Sequence, residues 1–173
     1  MRVLLCILAF VLMSFAKCQI VQKPSSDINS VDISQTQIGY SDIKNLYIAD
    51  SKTYKILSQI DAKSDKINII KFNNSNLIIG FDSGYAMQLN PKGHKQILID
   101  PTKTNIIDGV TSIGFIKDKI IFTLGSTTLI IYDTINNIYK KSNLNLNSKI
   151  ITTHIIGNNI YIASFDRNIY KVN

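Results

Sequence analysis

Ile150–Asn173 reads IITTHIIGNNIYIASFDRNIYKVN, and it decides the fold because its pattern is written twice more upstream. Val110–Asp133 (VTSIGFIKDKIIFTLGSTTLIIYD) and Ile67–Asn90 (INIIKFNNSNLIIGFDSGYAMQLN) align with it without a gap. Each copy reads apolar run, polar turn, apolar run, second turn, apolar run. The first turns, Asn73-Asn74-Ser75-Asn76, Lys117-Asp118-Lys119 and Gly157-Asn158-Asn159, fall at matching places. The runs are short, rich in Ile, Tyr, Phe, Thr and Val, and bounded by Asn, Asp, Gly, Lys and Ser, the composition of β-strands. No apolar pattern of period 3.6 persists along the chain, so no helix is expected from Val31 onward.

Working outward, a fourth strand fits behind two of the copies, at Lys95–Asp100 and Ile138–Ser142. The hairpin turns Asp50-Ser51-Lys52, Asp82-Ser83-Gly84, Gly125-Ser126-Thr127 and Asp166-Arg167-Asn168 lie 32, 43 and 41 residues apart. A hairpin recurring about every 40 residues is the signature of a β-propeller blade. The predicted fold class is therefore all-β, an array of about four antiparallel blades. Ile120-Ile121-Phe122 and Leu129–Tyr132 are continuously apolar, as strands covered on both faces are. The last blade has three strands, and a candidate strand at Val31–Ser34 precedes the first. That strand is expected to complete the last blade and close the ring, which would remove exposed edges. An array shared between copies and an incomplete array are the alternatives.

The N-terminus reads as an export signal: Arg2, the apolar stretch Val3–Met13, then Ser14 and Ala16 before a cut at Lys17. Two other readings stay open, a retained anchor and acylation of Cys18, although Lys17 stands where acylation wants a small residue. The expected organisation is a signal peptide over 1–16, a linker over 17–30 and a repeat domain over 31–173. Localisation is expected to be periplasmic or secreted. With Cys6 in the signal, Cys18 is left alone and no internal disulfide can form. The net charge is +7, yet Arg2 and Arg167 are the only arginines and the lysines are dispersed. Nucleic-acid binders cluster their basic residues and favour Arg for bidentate phosphate contacts, so no nucleic-acid partner is expected.

The hairpins Asn159–Val172 (NIYIASFDRNIYKV) and Leu77–Leu89 (LIIGFDSGYAMQL) resemble repeats of the WD40-like and PQQ-like (quinoprotein-like) propeller superfamily. The likeness covers residues 31–173. The chain holds no Trp, so it lacks both the Trp-Asp pair of WD40 repeats and the Trp of quinone-docking motifs. With the signal sequence, its general character is similar to exported accessory proteins of the NapL kind, which serve periplasmic nitrate reductase. The resemblance implies a binding scaffold whose partner is a periplasmic redox enzyme or its maturation machinery.

The residues carry no catalytic constellation. His94 and His154 are the only histidines, and no HxH, HExxH or CxxC spacing occurs. No serine sits in a G-x-S-x-G elbow. Asp50, Asp82 and Asp166 recur at turns read as equivalent, where Asp usually caps backbone amides. No cofactor, no metal and no enzymatic activity are expected. The expected work is protein binding through the turns around Asp82, Asp166 and Arg167, with Arg167 as the anchor because Arg is enriched among interface hot spots. Carbohydrate binding, as in small lectin propellers, is the alternative.

Overall fold

The computed structural model describes residues 26–62 and 65–172. The predicted signal peptide, Cys18 and most of the predicted linker lie outside the described residues. Among the described residues, fifteen strands form four antiparallel sheets. Blade I holds β1 (Ser30–Ile33), β2 (Gln37–Ser41), β3 (Asn45–Asp50) and β4 (Ile56–Asp61). Blade II holds β5 (Ile67–Asn73), β6 (Asn76–Phe81), β7 (Ala86–Leu89) and β8 (Lys95–Ile99). Blade III holds β9 (Val110–Ile116), β10 (Lys119–Leu124), β11 (Thr128–Asp133) and β12 (Ile138–Asn143). Blade IV holds β13 (Ile150–Ile156), β14 (Asn159–Ser164) and β15 (Ile169–Val172). Within each sheet the strands pair in chain order, so every blade is an up-and-down meander.

The blades stack face to face, and alternate residues of each strand serve opposite interfaces. In β10, Ile120 and Phe122 join Ile78, Val110 and Ile130 in the core between blades II and III. Ile121, pointing the other way, joins Leu129, Ile150 and Ile162 between blades III and IV. This explains the unbroken apolar run: both faces of the strand are interior. Between blades I and II the core is Leu46, Ile70, Phe72, Leu77 and Ile79. Glycines set the spacing where strands come closest. A Cβ on Gly80 would lie 2.6 Å from Val110 Cγ1, so a side chain there would force the blades apart.

The first strand of each blade is the innermost, and polar side chains tie that of blade I to blade II and that of blade III to blade IV. Ile70 N donates to Ser30 Oγ at 3.1 Å, and Phe72 N to Asp32 Oδ2 at 2.6 Å. Ser112 Oγ donates to Thr153 O at 3.3 Å. These bonds satisfy main-chain groups that an edge strand would otherwise leave unpaired.

Three sequence expectations change. The strand near Val31 does not complete the last blade: β1 pairs with β2 through Val31↔Tyr40 and Ile33↔Ile38 and so completes blade I. The array is therefore open, with blade I at one end and blade IV at the other. Asp50 is not equivalent to Asp82 and Asp166. It opens the turn between the third and fourth strands, as do Asn90 and Asp133, and these three lie 40 and 43 residues apart. All three carboxyl or amide oxygens cap the turn's amides: Asp50 accepts from Lys52 N and Thr53 N, Asn90 from Lys92 N and His94 N, Asp133 from Ile135 N and Asn136 N. Finally, one helical turn, α1 (Pro101–Thr104), lies between blades II and III. Asp100 caps it by accepting from Thr102 N at 3.1 Å, and Pro101 takes the first helical position, where its missing N–H is not needed.

Candidate functional site

Antiparallel meanders put the turns of a blade on two opposite rims. One rim carries the first-to-second and third-to-fourth turns. The other, the link rim, carries the second-to-third turns together with the segments that join blades. Main-chain bonds knit this link rim: Asp82 N donates to Lys66 O, Gly125 N to Gly109 O and Phe165 N to Lys149 O. These bonds also identify Asp82, Gly125 and Phe165 as equivalent positions. Asp166 therefore matches Ser83 and Ser126, one residue beyond Asp82.

Asp82, Asp166 and Arg167 all lie on this link rim, in blades II and IV. Asp82 Oδ1 accepts from Asn68 Nδ2 at 3.0 Å, which braces the turn against the innermost strand. Asp166 accepts from Asn168 N at 3.1 Å and from the Tyr170 hydroxyl. The Tyr170 bond, helped by the Asn168 amide, draws the Asp166 carboxyl below the ordinary carboxylate value. Both carboxylates thus build turns. Arg167 differs. Its backbone holds φ 68°, left-handed for a non-glycine residue, and its guanidinium takes part in no hydrogen bond or ion pair with the described residues. The matching residue of blade II is Gly84, at φ 83°.

The sequence reading missed the apolar members of the rim. Ile43 in the β2–β3 turn, Ile107 in the link after α1 and Phe165 in the β14–β15 turn are 51%, 92% and 66% exposed. Such side chains pass in a sequence for strand residues; only their position outside the ladders marks them as surface. On the same rim Asp42 is buried, at 4% exposure. Burial alone would raise its pKa. Bonds accepted from Ser26 Oγ, Asn45 and Lys44 N outweigh that and hold the carboxyl down at about 2.

Asp50, Asp100 and Asp133 are also drawn down, chiefly by hydrogen bonds from Thr53, Thr102 and Asn136. A general acid needs the opposite shift, a carboxyl kept protonated near neutral pH. Among the described residues no group of three His, Cys, Asp or Glu side chains is placed to hold a metal ion. His94 lies at the end of the β7–β8 turn in blade II, its amide donating to Asn90 Oδ1, whereas His154 lies on β13 in blade IV. Two clefts lie between blades I and II: one of 280 Å³, lined by Gln37, Ile48, Leu57, Leu77 and Pro91 among others and without an aromatic ring, and a wider one of 810 Å³ lined by Ile33, Thr36, Phe72 and Asn74 among others.

No protein-family model matches the chain, and no curated protein matches its sequence. Solved structures do match. The computationally designed Ika4 protein superposes with a TM-score of 0.75 at 14% identity, over 90% of this chain and 98% of Ika4. The designed Ika8 protein gives 0.72 at 14% identity, over 87% of this chain but 46% of Ika8. The β-propeller domain of Cps50 (Swd1) from Myceliophteria thermophila gives 0.70 at 14% identity, over 87% of this chain and 52% of that domain. The chain thus spans about half the length of the latter two. At this identity the likeness carries the fold alone, and that fold is an open arc of four β-propeller blades.

Proposed function

We propose that this protein is an exported, non-enzymatic scaffold that binds another protein through its link rim. The observation that supports the reading is the placement of Ile43, Ile107, Phe165 and Arg167 on one rim, exposed and backed by rigid blades. Large apolar tips and an arginine whose guanidinium no described residue engages, on a fixed framework, are what protein interfaces use as anchors. Rigid turns also lose little conformational freedom on binding. Asp82 and Asp166 serve by fixing the turns that carry the anchors. The finer reading is an accessory factor of a periplasmic redox enzyme such as nitrate reductase; it rests on the export signal and the general resemblance of the sequence.

Chemical cross-linking in an exported extract of the source cells, followed by mass spectrometry, tests both levels. A single partner lost on Phe165→Ser and on Arg167→Ala, and kept on Lys92→Ser at the opposite rim, is the expected result. Loss through Lys92→Ser, with the link-rim variants unaffected, would sink the link rim as the binding face. A partner with no redox cofactor would leave the scaffold and remove the accessory role.

A further inference from the structure

The two ends of the arc carry the same residue pattern that the inner blades use to bind one another. On blade I the end face exposes Val31 and Ile33, and beside them on β2 lie the buried Ile38 and Tyr40, Tyr40 stacked on Tyr47 at 4.9 Å between ring centroids. By strand register these take the places of Ile70, Phe72, Leu77, Ile79 and Met87, which in blade II pack onto blade I. On blade IV the end face presents Ile156, Tyr161 and Ile169. They take the places of Ile116, Ile121 and Leu129, which in blade III are packed against blade IV. Val31 is 59% exposed and Ile169 77%.

The polar ties repeat as well. Thr152 and His154 hold, on β13, the places that Ser30 and Asp32 hold on β1. Ser30 and Asp32 receive the amides of Ile70 and Phe72 in the next blade. The corresponding amides at the open end are those of Val31 and Ile33. One end of the arc therefore carries the hydrogen-bonding side chains of an inter-blade junction, and the other carries the main-chain groups they would meet.

We infer that a second copy of this chain closes the ring. Blade IV of each copy docks on blade I of the other, giving two identical junctions about a two-fold axis and a ring of eight blades. Length supports this occupant: the chain superposes on about half of Ika8 and about half of the Swd1 domain. Its blades therefore turn at the rate of a propeller about twice as long. Pairing unlike ends on one axis produces a closed pair instead of a filament only when the rotation closes, and two half-rings meet that condition.

Sedimentation equilibrium on the purified full chain in 0.15 M salt, with the subunit mass taken first by mass spectrometry, reads the result. Twice the subunit mass, dissociating on dilution, is expected. Val31→Asp and Ile169→Asp, at opposite ends, are each expected to weaken association by about 100-fold, and Thr152→Val with His154→Leu by about tenfold. Both acidic substitutions sit at exposed positions, and unchanged far-ultraviolet circular dichroism confirms that the blades persist. Mixing the Val31→Asp and Ile169→Asp chains is expected to restore a weaker dimer through the one junction in which both faces are intact. A monomer at every concentration overturns the inference, because the ends then do not meet. A trimer or open polymer overturns it too, since the arcs would not close in two. A dimer that survives Val31→Asp would mean that blade IV pairs with itself, which is equally fatal.

Discussion

Arg167 occupies a backbone conformation that L side chains adopt at a cost of about 1 kcal/mol, and its blade II counterpart is the glycine that avoids that cost. Arg167→Gly is therefore expected to stabilise the fold by about 1 kcal/mol in urea titration while abolishing partner capture. A destabilised variant would show that the side chain supports the fold after all. Asp42 makes the contrasting case. Its folded pKa, about 2, lies below the ordinary 3.8, so its stabilising effect is complete above about pH 4 and is lost as pH falls through about 2. Comparing the wild type with Asp42→Asn across that window checks this. The wild type is expected to lose its advantage as the carboxyl protonates, and parallel curves would remove Asp42 as the cause. Both residues show why chemistry was less legible than fold in this sequence. Arg167 was visible as the one arginine of the repeat region, but its strain depends on register. Asp42 in Ser-Asp-Ile-Lys-Asn looks like any other turn residue until burial is known.

At the scale of elements, the blades that share a gapless alignment were legible nearly to the residue. Their two-residue first turns and their Asp or Gly second turns punctuate the ladder at fixed places. Blade I was misread for a physical reason. Its first hairpin closes through the four-residue segment Ser34–Gln37, which contains neither Gly nor Asn, so β1 looked detached from β2. Asp50-Ser51-Lys52 then imitated a turn of the other rim. Helix α1 was missed because a single turn has no periodicity to detect, although Asp100-Pro101 carried its start signal. Element packing gives a direct test at Gly80. Gly80→Ala places a methyl against Val110 Cβ and Cγ1 and is expected to cost about 1–3 kcal/mol by urea unfolding. A smaller loss would mean that blades II and III can slide apart freely.

Across the whole molecule, each blade touches only its neighbours, so stability is a sum of blade and junction contributions. Blade IV has three strands and one open face, whereas blades II and III are covered on both sides. Hydrogen exchange is expected to be fastest in β13–β15 and slowest in β6 and β10. Raising the protein concentration is expected to flatten that gradient as the second copy covers blade IV. Equal rates in all blades at low concentration would contradict the open arc.

The meander of each blade is drawn from one unbroken stretch of chain, and no strand is shared between sheets among the described residues. Nearly every pairing therefore closes within a few tens of residues. Pairing at this range loses less loop entropy than long crossovers between distant strands would. Because the inner strands are apolar on both faces, a blade gains its full stability only once a neighbour covers it. In an array of this kind folding can nucleate at any junction and spread blade by blade, and the last faces to be satisfied are the ends themselves.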